Sequence, residues 1–170
     1  MMSDFKTIEL KNDNLRILDQ TKLPLTEEYI ETDDFERIAV SIERLEVRGA
    51  PAIGVTAAYA IALAFKNEIN NKPDYFEKVY NRLYSTRPTA VNLFWALKRM
   101  KEVFESHKDD DELFDKLLGE AIAIHQDDID KCERMAENGI AIFDKPKTVL
   151  THCNTGQLAT GGGGDCFLCN

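Results

Sequence analysis

The sequence predicts an α+β fold in which a helical amino-terminal domain carries a small antiparallel β-meander and is followed by the first strand of an α/β domain. Three observations predict it. Short alternating runs fill residues 5–31, apolar residues then recur at three- and four-residue steps, and a β-type run appears near the carboxyl end. We place the boundary near Asp144, which gives a domain of residues 1–144 and the start of another at 145–170.

Composition argues against several classes of protein. The chain has 170 residues, of which 44% are hydrophobic and 30% charged, as in an ordinary globular domain. Its formal net charge of −9 argues against a nucleic-acid partner, because phosphate backbones are bound by clustered lysines and arginines. No apolar run is long enough to span a bilayer, and the amino terminus lacks the apolar core of a signal peptide. We therefore expect a cytoplasmic protein with no membrane partner.

The meander and the first helix follow in chain order. Alternating runs at residues 7–10, 15–18 and 29–30 predict three strands, and the polar residues between the first two predict a tight turn. A helix is expected to begin at Asp33, with Glu36 completing a capping box. Its apolar residues recur on one face. They are Phe35, Ile38, Ile42 and Leu45.

Residues 47–64 form the most unusual stretch of the chain. Pro51 opens a helix whose side chains are small on almost every side, which predicts a buried helix packed closely by its neighbours. Gly49 allows a positive φ or the close approach of a ligand. Arg48 offers a planar fork of donors beside unpaired helix N–H groups, a combination that favours an anion such as phosphate. An exposed arginine before an ordinary core helix fits these residues equally well.

Three more helices complete the predicted domain. The first is expected to start at Asp74, with Glu77 in a second capping box, and to stop before Pro88, because the residue preceding a proline avoids helical geometry. Thr89 is expected to cap the next helix, and Gly139 to stop the last one. The buried stripes of these last two helices are Leu93, Leu97, Met100 and Phe104, then Leu113, Leu117, Ala121, Ile124 and Cys132.

Arg87 stands just before a helix start, as Arg48 does, and two such arginines could converge on one phosphate from separate loops. It is equally compatible with the sequence that Arg87 caps the carbonyl groups of the preceding helix. Two histidines belong to the same region of the chain. We expect His107 to be an exposed loop residue and His125, near an apolar stripe, to be packed rather than catalytic.

Cys153 is the candidate nucleophile or acid/base group. The β-type run at 148–151 leads into a turn that an α/β sheet would present at its carboxyl edge, where ligands bind. Nearby backbone N–H groups and His152 can lower the pKa of a thiol there, although a small buried cysteine is the plain alternative. Cys166 and Cys169 have the spacing of half a zinc site, but no second pair completes it, so we expect no metal.

Three separate motifs, at residues 47–54, 85–93 and 150–156, together resemble the methylthioribose-1-phosphate isomerase family. The wider superfamily includes ribose-1,5-bisphosphate isomerase and the regulatory subunits of the translation-initiation guanine-nucleotide exchange factor. The Arg-Gly-Ala-Pro loop and the cysteine turn favour the isomerase branch. The resemblance implies that the second domain is a truncated Rossmann-like α/β domain.

The resemblance also implies an activity and its residues. The expected reaction converts 5-methylthioribose 1-phosphate to 5-methylthioribulose 1-phosphate in methionine salvage, without metal or other cofactor. Arg48, Gly49, Ala50 and Arg87 would bind the phosphorylated pentose, and Cys153 would be one of two catalytic residues. A homodimer is expected for the full-length form.

Residues 163–170 depart from the family pattern, and the family's catalytic aspartate and Asn-Lys substrate contact have no counterpart. We therefore expect that this sequence is truncated or frame-shifted and that the chain is inactive by itself. Its Val149 and Leu150 would then lie on an uncovered apolar edge. Two alternatives stay open. One is a non-catalytic regulatory or assembly module of the initiation-factor branch, and the other is ribose-1,5-bisphosphate isomerase.

Overall fold

A three-stranded sheet and five α-helices make up most of the computed structural model, which describes residues 5–67, 69–140, 148, 150, 152 and 154–162. A short 3-10 turn near the end of this range spans Gln157–Ala159. The elements are β1 (Ile8–Lys11), β2 (Asn14–Leu18), β3 (Tyr29–Thr32), α1 (Phe35–Glu43), α2 (Ala50–Ala64), α3 (Lys72–Tyr84), α4 (Val91–His107) and α5 (Leu113–Ile140).

The antiparallel meander predicted from the sequence is confirmed, with the strands in the order β1-β2-β3. The register pairs Arg16 of β2 with Glu9 on one side and Glu31 on the other, so one guanidinium lies between two carboxylates. Opposite charges across strands stabilise such pairings modestly. Leu15 and Ile17, on either side of Arg16, are fully buried, which fixes the face that β2 turns toward the core.

Helix α2 lies at the centre of the domain, where it contacts the other four helices and β2. Every residue from 52 to 64 is buried, which confirms the prediction of a core helix. Its small residues let neighbouring backbones approach closely. A Cβ atom added to Gly54 would lie 2.8 Å from the carbonyl oxygen of Asn92, so the first turns of α2 and α4 touch.

Helices α2 and α4 run parallel, because their first turns touch each other and their carboxyl-terminal ends also meet. The rings of Phe65, which caps α2, and Phe104 of α4 have centroids 5.6 Å apart, and Phe104 stacks on Phe76 of α3 at 4.1 Å. Helix α5 runs the opposite way, since Leu113 at its start lines a surface pocket with Phe65. The amino-terminal ends of α2 and α4 and the carboxyl-terminal half of α5 therefore share one side of the molecule.

The buried stripes predicted for α4 and α5 are confirmed, whereas one residue of the α1 stripe is wrong. Helix α1 ends at Glu43, and Leu45 follows it with φ +62° and 41% of its surface exposed. A left-handed residue cannot continue a right-handed helix, so the three- and four-residue steps stop short of Leu45. In the described part of the chain, no helix combines the length and the apolar character needed to cross a membrane.

Three predicted helix starts are displaced along the chain. Asp34, and not Asp33, caps α1 by accepting from the N–H of Glu36. Asn71, and not Asp74, caps α3, because Pro73 fits the first helical turn and moves the start upstream. The N-cap of α4 is Ala90 in place of Thr89, and Gly139 lies buried within α5 instead of stopping it.

The strand expected at residues 148–151 is not shown by the structure. Thr148 and Leu150 are described and belong to no regular element, and Val149 and Thr151 lie outside the described residues. Leu150 is 98% exposed. The boundary near Asp144 also falls outside the described residues, so the Rossmann-like second domain stays a prediction.

Candidate functional site

Helices α2 and α4 begin without a side-chain cap, unlike α1 and α3. The N-cap residues are Gly49 and Ala90, and neither supplies a side-chain acceptor, whereas Asp34 and Asn71 cap the other two helices. The first N–H groups of a helix have no partner within the helix and carry its positive dipole end. Because α2 and α4 are parallel and touch at their first turns, two such ends lie side by side. This arrangement favours an anion.

Arg48 lies in the loop that leads into α2 and is partly exposed. Its Nε donates to the carbonyl oxygen of Leu45 at 3.2 Å, which ties the side chain to the turn after α1. Within the described part of the chain, its guanidinium makes no ion pair. Among the described residues, the structure therefore leaves the Arg48 guanidinium without a carboxylate partner beside the amino-terminal end of α2.

Arg87 lies in the loop that leads into α4. The hydroxyl groups of Ser85 and Thr86 donate to the carbonyl oxygens of Arg82 and Leu83, at 2.8 and 2.6 Å, and so cap the end of α3. The alternative that Arg87 performs this capping is therefore wrong. Among the described residues, the side chain of Arg87 makes no hydrogen bond or ion pair, and it lies at the same end of the α2–α4 pair as the Arg48 loop.

Gly49 brings the loop before α2 into close backbone contact with the carboxyl-terminal part of the described chain. It has φ +89°, and a Cβ atom there would lie 2.2 Å from the carbonyl oxygen of Ala159. Only glycine allows two backbones to approach this closely. Cys153 lies outside the described residues, but residues 157–162, here called the docking segment, follow it closely and rest against the Gly49 loop.

Side chains of the amino-terminal region bind the backbone of the docking segment. The hydroxyl of Thr7 donates to the carbonyl oxygen of Gln157 at 2.8 Å, and Nε2 of Gln20 donates to that of Leu158 at 2.7 Å. In return, the side-chain amide of Gln157 donates to the carbonyl oxygen of Phe5 at 2.7 Å. These bonds satisfy partly buried backbone groups that would otherwise be costly to leave without partners.

Two side chains of α5 hold the peptide groups of Gly161. His125 Nε2 lies 2.7 Å from the Gly161 carbonyl oxygen, and the Gly161 N–H donates to Asp128 Oδ2 at 2.7 Å. A carbonyl can only accept, so Nε2 carries the hydrogen and Nδ1 accepts from the hydroxyl of Tyr59 at 3.0 Å. Burial raises the pKa of Tyr59 to about 12, which keeps that hydroxyl a donor. His125 is thus packed and fully hydrogen-bonded, as expected.

The contact with Asp128 predicts a pH-dependent stability. Burial raises the pKa of Asp128, although the Gly161 N–H, His125 and Lys131 each act in the opposite direction. A carboxylate with a raised folded-state pKa makes the free energy of unfolding fall as pH rises through its titration. We expect Asp128→Asn, whose amide oxygen still accepts from Gly161, to gain stability relative to the unmodified chain as pH rises from about 3 to 7.

Urea unfolding of the two proteins across this pH range measures the difference directly. Asp130→Asn is the matched control, because Asp130 is an exposed carboxylate on the same helix that accepts only from the side chain of Gln126 in the described structure. A constant difference between Asp128→Asn and the unmodified chain at every pH would show that burial of this carboxylate has no effect on stability.

A cavity of about 300 Å³ opens beside the same helix ends. Pro51 and Gly54 of α2 and Asn92 of α4 form one part of its wall, and Trp95 of α4 and Asp128 of α5 form another. The cavity therefore adjoins the first turns of both uncapped helices. Its volume suits a small organic group rather than a large cofactor.

The sequence indicated Arg48, Arg87 and Gly49 but not the side chains that fasten the docking segment. Gln20 and Leu158 are 138 positions apart, and no local pattern signals a contact over such a distance. Gly161 begins a run of four glycines, and its N–H donates to the Asp128 carboxylate. Gly163, Gly164, Cys166 and Cys169 lie outside the described residues.

Comparisons with known proteins agree on one family. The model of the initiation factor 2 subunit family matches residues 46–161. A methylthioribose-1-phosphate isomerase of Thermotoga petrophila is 45% identical over 156 residues, which cover 91% of this chain and 46% of that protein. Another from Geotalea uraniireducens is 45% identical over 166 residues, which cover 94% of this chain and 48% of that protein.

Solved structures show the same fold. The 5-methylthioribose 1-phosphate isomerase of Pyrococcus horikoshii OT3 superposes with a TM-score of 0.85 at 39% identity, covering 94% of this chain and 46% of that one. The delta subunit of translation initiation factor eIF-2B from A. fulgidus gives a TM-score of 0.82 at 36% identity, and the match covers 94% of this chain and 48% of that one. The chain spans about half the length of the curated relatives it matches.

Proposed function

This chain belongs to the initiation factor 2 subunit family, and from that membership we propose that it supplies the amino-terminal half of an aldose–ketose isomerase acting on 5-methylthioribose 1-phosphate. The product would be 5-methylthioribulose 1-phosphate. The observation that carries the proposal is the pair of uncapped, parallel helix ends that follow Arg48 and Arg87. Curated relatives bearing the name of this isomerase support the choice of reaction.

The proposed phosphate site combines charge with backbone donors. Ala50 and Ala52 carry N–H groups in the first turn of α2, since Pro51 has none to offer. Helix N–H groups and guanidinium forks form short charge-assisted hydrogen bonds with phosphate oxygens. Arg48 and Arg87 would add two positive charges from separate loops, matching the two negative charges of a phosphate monoester.

The proposed chemistry moves a hydrogen between C1 and C2 of the sugar. The phosphate on C1 blocks simple opening to an aldehyde, so the transfer needs positioned groups in a site that excludes water. Cys153 would act as one acid/base or polarising group, and the second catalytic residue would lie in the half of the family's proteins that this chain does not cover. The docking segment supports this role, because it connects closely in sequence to Cys153 and rests on the Gly49 loop.

Binding to this chain tests the phosphate site. We expect Arg48→Ala and Arg87→Ala each to lower the affinity for 5-methylthioribose 1-phosphate by about 10- to 100-fold, because each removes charge-assisted hydrogen bonds to phosphate. Isothermal titration calorimetry measures the change. Arg44→Ala is the matched control, since Arg44 is exposed in the turn just before Arg48. Unchanged affinity in both arginine variants would rule out this phosphate site.

Turnover tests the reaction itself. A fusion in which residues 1–162 of this chain replace the matching part of the Thermotoga petrophila relative would supply both halves of the proposed enzyme. We expect this fusion to convert 5-methylthioribose 1-phosphate into a ketose product, detected by reduction of its carbonyl group. A folded fusion that binds the sugar phosphate without converting it would contradict the isomerase assignment.

A second candidate function is supported by the likeness to the delta subunit from A. fulgidus, a translation initiation factor component. In that case the chain would belong to a non-catalytic regulatory or assembly module. Partner binding without turnover separates this candidate from the first. Pull-down with the other subunits of such a factor, compared with the turnover assay, decides between them.

A further inference from the structure

We propose that His125 and Asp128 of α5 are positioning residues, which hold the backbone of Gly161 and thereby set the place of the chain around Cys153. These two side chains are here called the Gly161 clamp. The inference rests on the proposed function, in which the Cys153 thiol takes part in the hydrogen transfer. Neither side chain needs to touch the sugar phosphate, because both act through the docking segment.

Gly161 is buried, and both polar groups of its backbone are bound by side chains of one helix. His125 Nε2 donates to the Gly161 carbonyl oxygen, and the Gly161 N–H donates to the Asp128 carboxylate, each at 2.7 Å. A buried peptide group that loses its hydrogen-bond partner is destabilised. Loss of either side chain therefore favours movement of Gly161 out of its place and into water.

Helix α2 fixes the His125 ring in turn. The hydroxyl of Tyr59 donates to Nδ1 at 3.0 Å, and the two rings meet edge to face with their centroids 5.6 Å apart. On its other side the ring lies directly against Gly161, where an added Cβ atom would come within 2.5 Å of His125 Cδ2. The ring therefore leaves Gly161 no room to shift toward α5.

The Gly161 clamp is the second of two anchors along the docking segment. The first anchor holds residues 157–159, through the hydrogen bonds donated by Thr7 and Gln20. The backbone contact at Gly49 belongs to this first anchor. A chain that is held at one place can still pivot about it. A second attachment at Gly161 therefore fixes the direction of the segment as well as its place.

The direction of the segment matters, because the segment leads back to Cys153 over a short path. The structure describes an unbroken stretch of chain from Asn154, the residue after Cys153, to the end of the docking segment. A 3-10 turn within this stretch shortens the path and is closed by a backbone hydrogen bond of 2.9 Å. A shift of Gly161 is therefore passed on to the chain around Cys153.

The Gly161 clamp also lies beside the proposed phosphate site. Asp128 lines the same cavity as Pro51 and Gly54 of α2. The carboxylate that binds the Gly161 N–H thus belongs to a wall next to the uncapped helix ends. By holding Gly161, it keeps the docking segment on the side of the molecule where α2 and α4 begin.

Alkylation of Cys153 by iodoacetamide, followed by mass spectrometry of the peptide that contains it, tests the inference in this chain. With 5-methylthioribose 1-phosphate at about ten times its Kd, we expect Cys153 to react about tenfold more slowly, because the bound sugar phosphate covers the thiol. The ratio of the rates with and without the sugar phosphate, here called the protection, cancels changes in the intrinsic reactivity of the thiol.

Three variants disrupt the Gly161 clamp independently. His125→Leu and Asp128→Ala each remove a partner of Gly161, and the methyl group of Gly161→Ala would overlap the His125 ring. We expect the protection of Cys153 to fall to about twofold or less in each, because the thiol then leaves the bound ligand. Calorimetric affinity should stay within about twofold of the unmodified chain, because the arginines before α2 and α4 keep their places.

Conservative replacements distinguish a positioning role from a general loss of stability. His125→Gln keeps an N–H donor, and Asp128→Asn keeps an oxygen that accepts from Gly161, so both should retain about tenfold protection. Asp130→Ala is the matched control, because Asp130 is an exposed carboxylate on the same helix that accepts only from the side chain of Gln126 in the described structure. Circular dichroism confirms that each variant is folded.

The outcomes separate this inference from the proposed function. Undiminished protection in the folded disrupting variants would overturn the positioning role and leave the role of Cys153 in place. Binding of the sugar phosphate to the unmodified chain without protection would overturn the role of Cys153, and absence of binding would overturn the phosphate site, each taking the positioning role with it. Protection that is lost in the disrupting variants and kept in the conservative ones supports both the inference and the proposed function.

Discussion

Replacing Cys153 by alanine is expected to lower turnover of 5-methylthioribose 1-phosphate by about 10²- to 10⁴-fold in the fusion that carries both halves of the proposed enzyme. The physical reason is the loss of one acid/base or polarising group from a reaction that moves a hydrogen between two carbon atoms. The affinity for the sugar phosphate should change little, because in the proposed site the arginines and helix N–H groups would hold the phosphate. Steady-state kinetics separates the effect on kcat from the effect on KM.

Cys132→Ala is the control for removing a thiol elsewhere. Cys132 is buried in α5, with 2% of its surface exposed, so its loss should lower stability and leave the turnover of folded protein intact. Full activity in Cys153→Ala would exclude a catalytic role for this thiol. A change confined to KM would make it a binding residue instead.

Replacing Gly49 by alanine is expected to separate the docking segment from the helical domain. The new methyl group would lie 2.2 Å from the carbonyl oxygen and 2.4 Å from the Cα of Ala159, and φ +89° is unfavourable for any side chain. Strain and overlap together should cost about 2 kcal/mol or more. We therefore expect amide hydrogens of residues 157–162 to exchange about 30-fold faster.

Hydrogen exchange followed by mass spectrometry measures this effect segment by segment. Gly156→Ala is the matched control, since Gly156 also has φ +89°, but no atom of the described residues beyond its chain neighbours lies within 4 Å of an added Cβ. It shares the backbone strain and lacks the overlap. Amide exchange in α2 should stay unchanged in both variants. Equal exchange of residues 157–162 in the two variants would show that the contact between Gly49 and Ala159 does not hold the docking segment.

The docking segment links the two predictions. Its backbone is bound by Thr7 and Gln20 from the sheet region and by His125 and Asp128 from α5. The helical domain thus fixes the chain shortly after Cys153 through contacts from several elements. A change that releases this segment should lower turnover through misplacement of the thiol, while Arg48 and Arg87 keep their places.

Much of the fold was predictable from the sequence, because its signals are local. The alternating runs defined the meander, and the run of small residues after Pro51 identified α2 as a buried helix. Helix ends were less predictable, since several residues near Asp33 and Thr89 can serve as caps and packing selects among them. Leu45 followed the apolar spacing of α1, yet the left-handed turn removed it from the core.

For the candidate site, too, some features were predictable from the sequence and others were found only in the structure. The sequence by itself determined the chemical groups, namely two arginines and a glycine before helices and a cysteine in a turn, because motifs are read from neighbouring residues. Only the tertiary structure decided that α2 and α4 lie parallel with adjacent uncapped ends, that Gly49 meets Ala159, and that Trp95 and Asp128 line one cavity. These contacts join distant parts of the chain, and their free energy comes from packing and burial that no local pattern records.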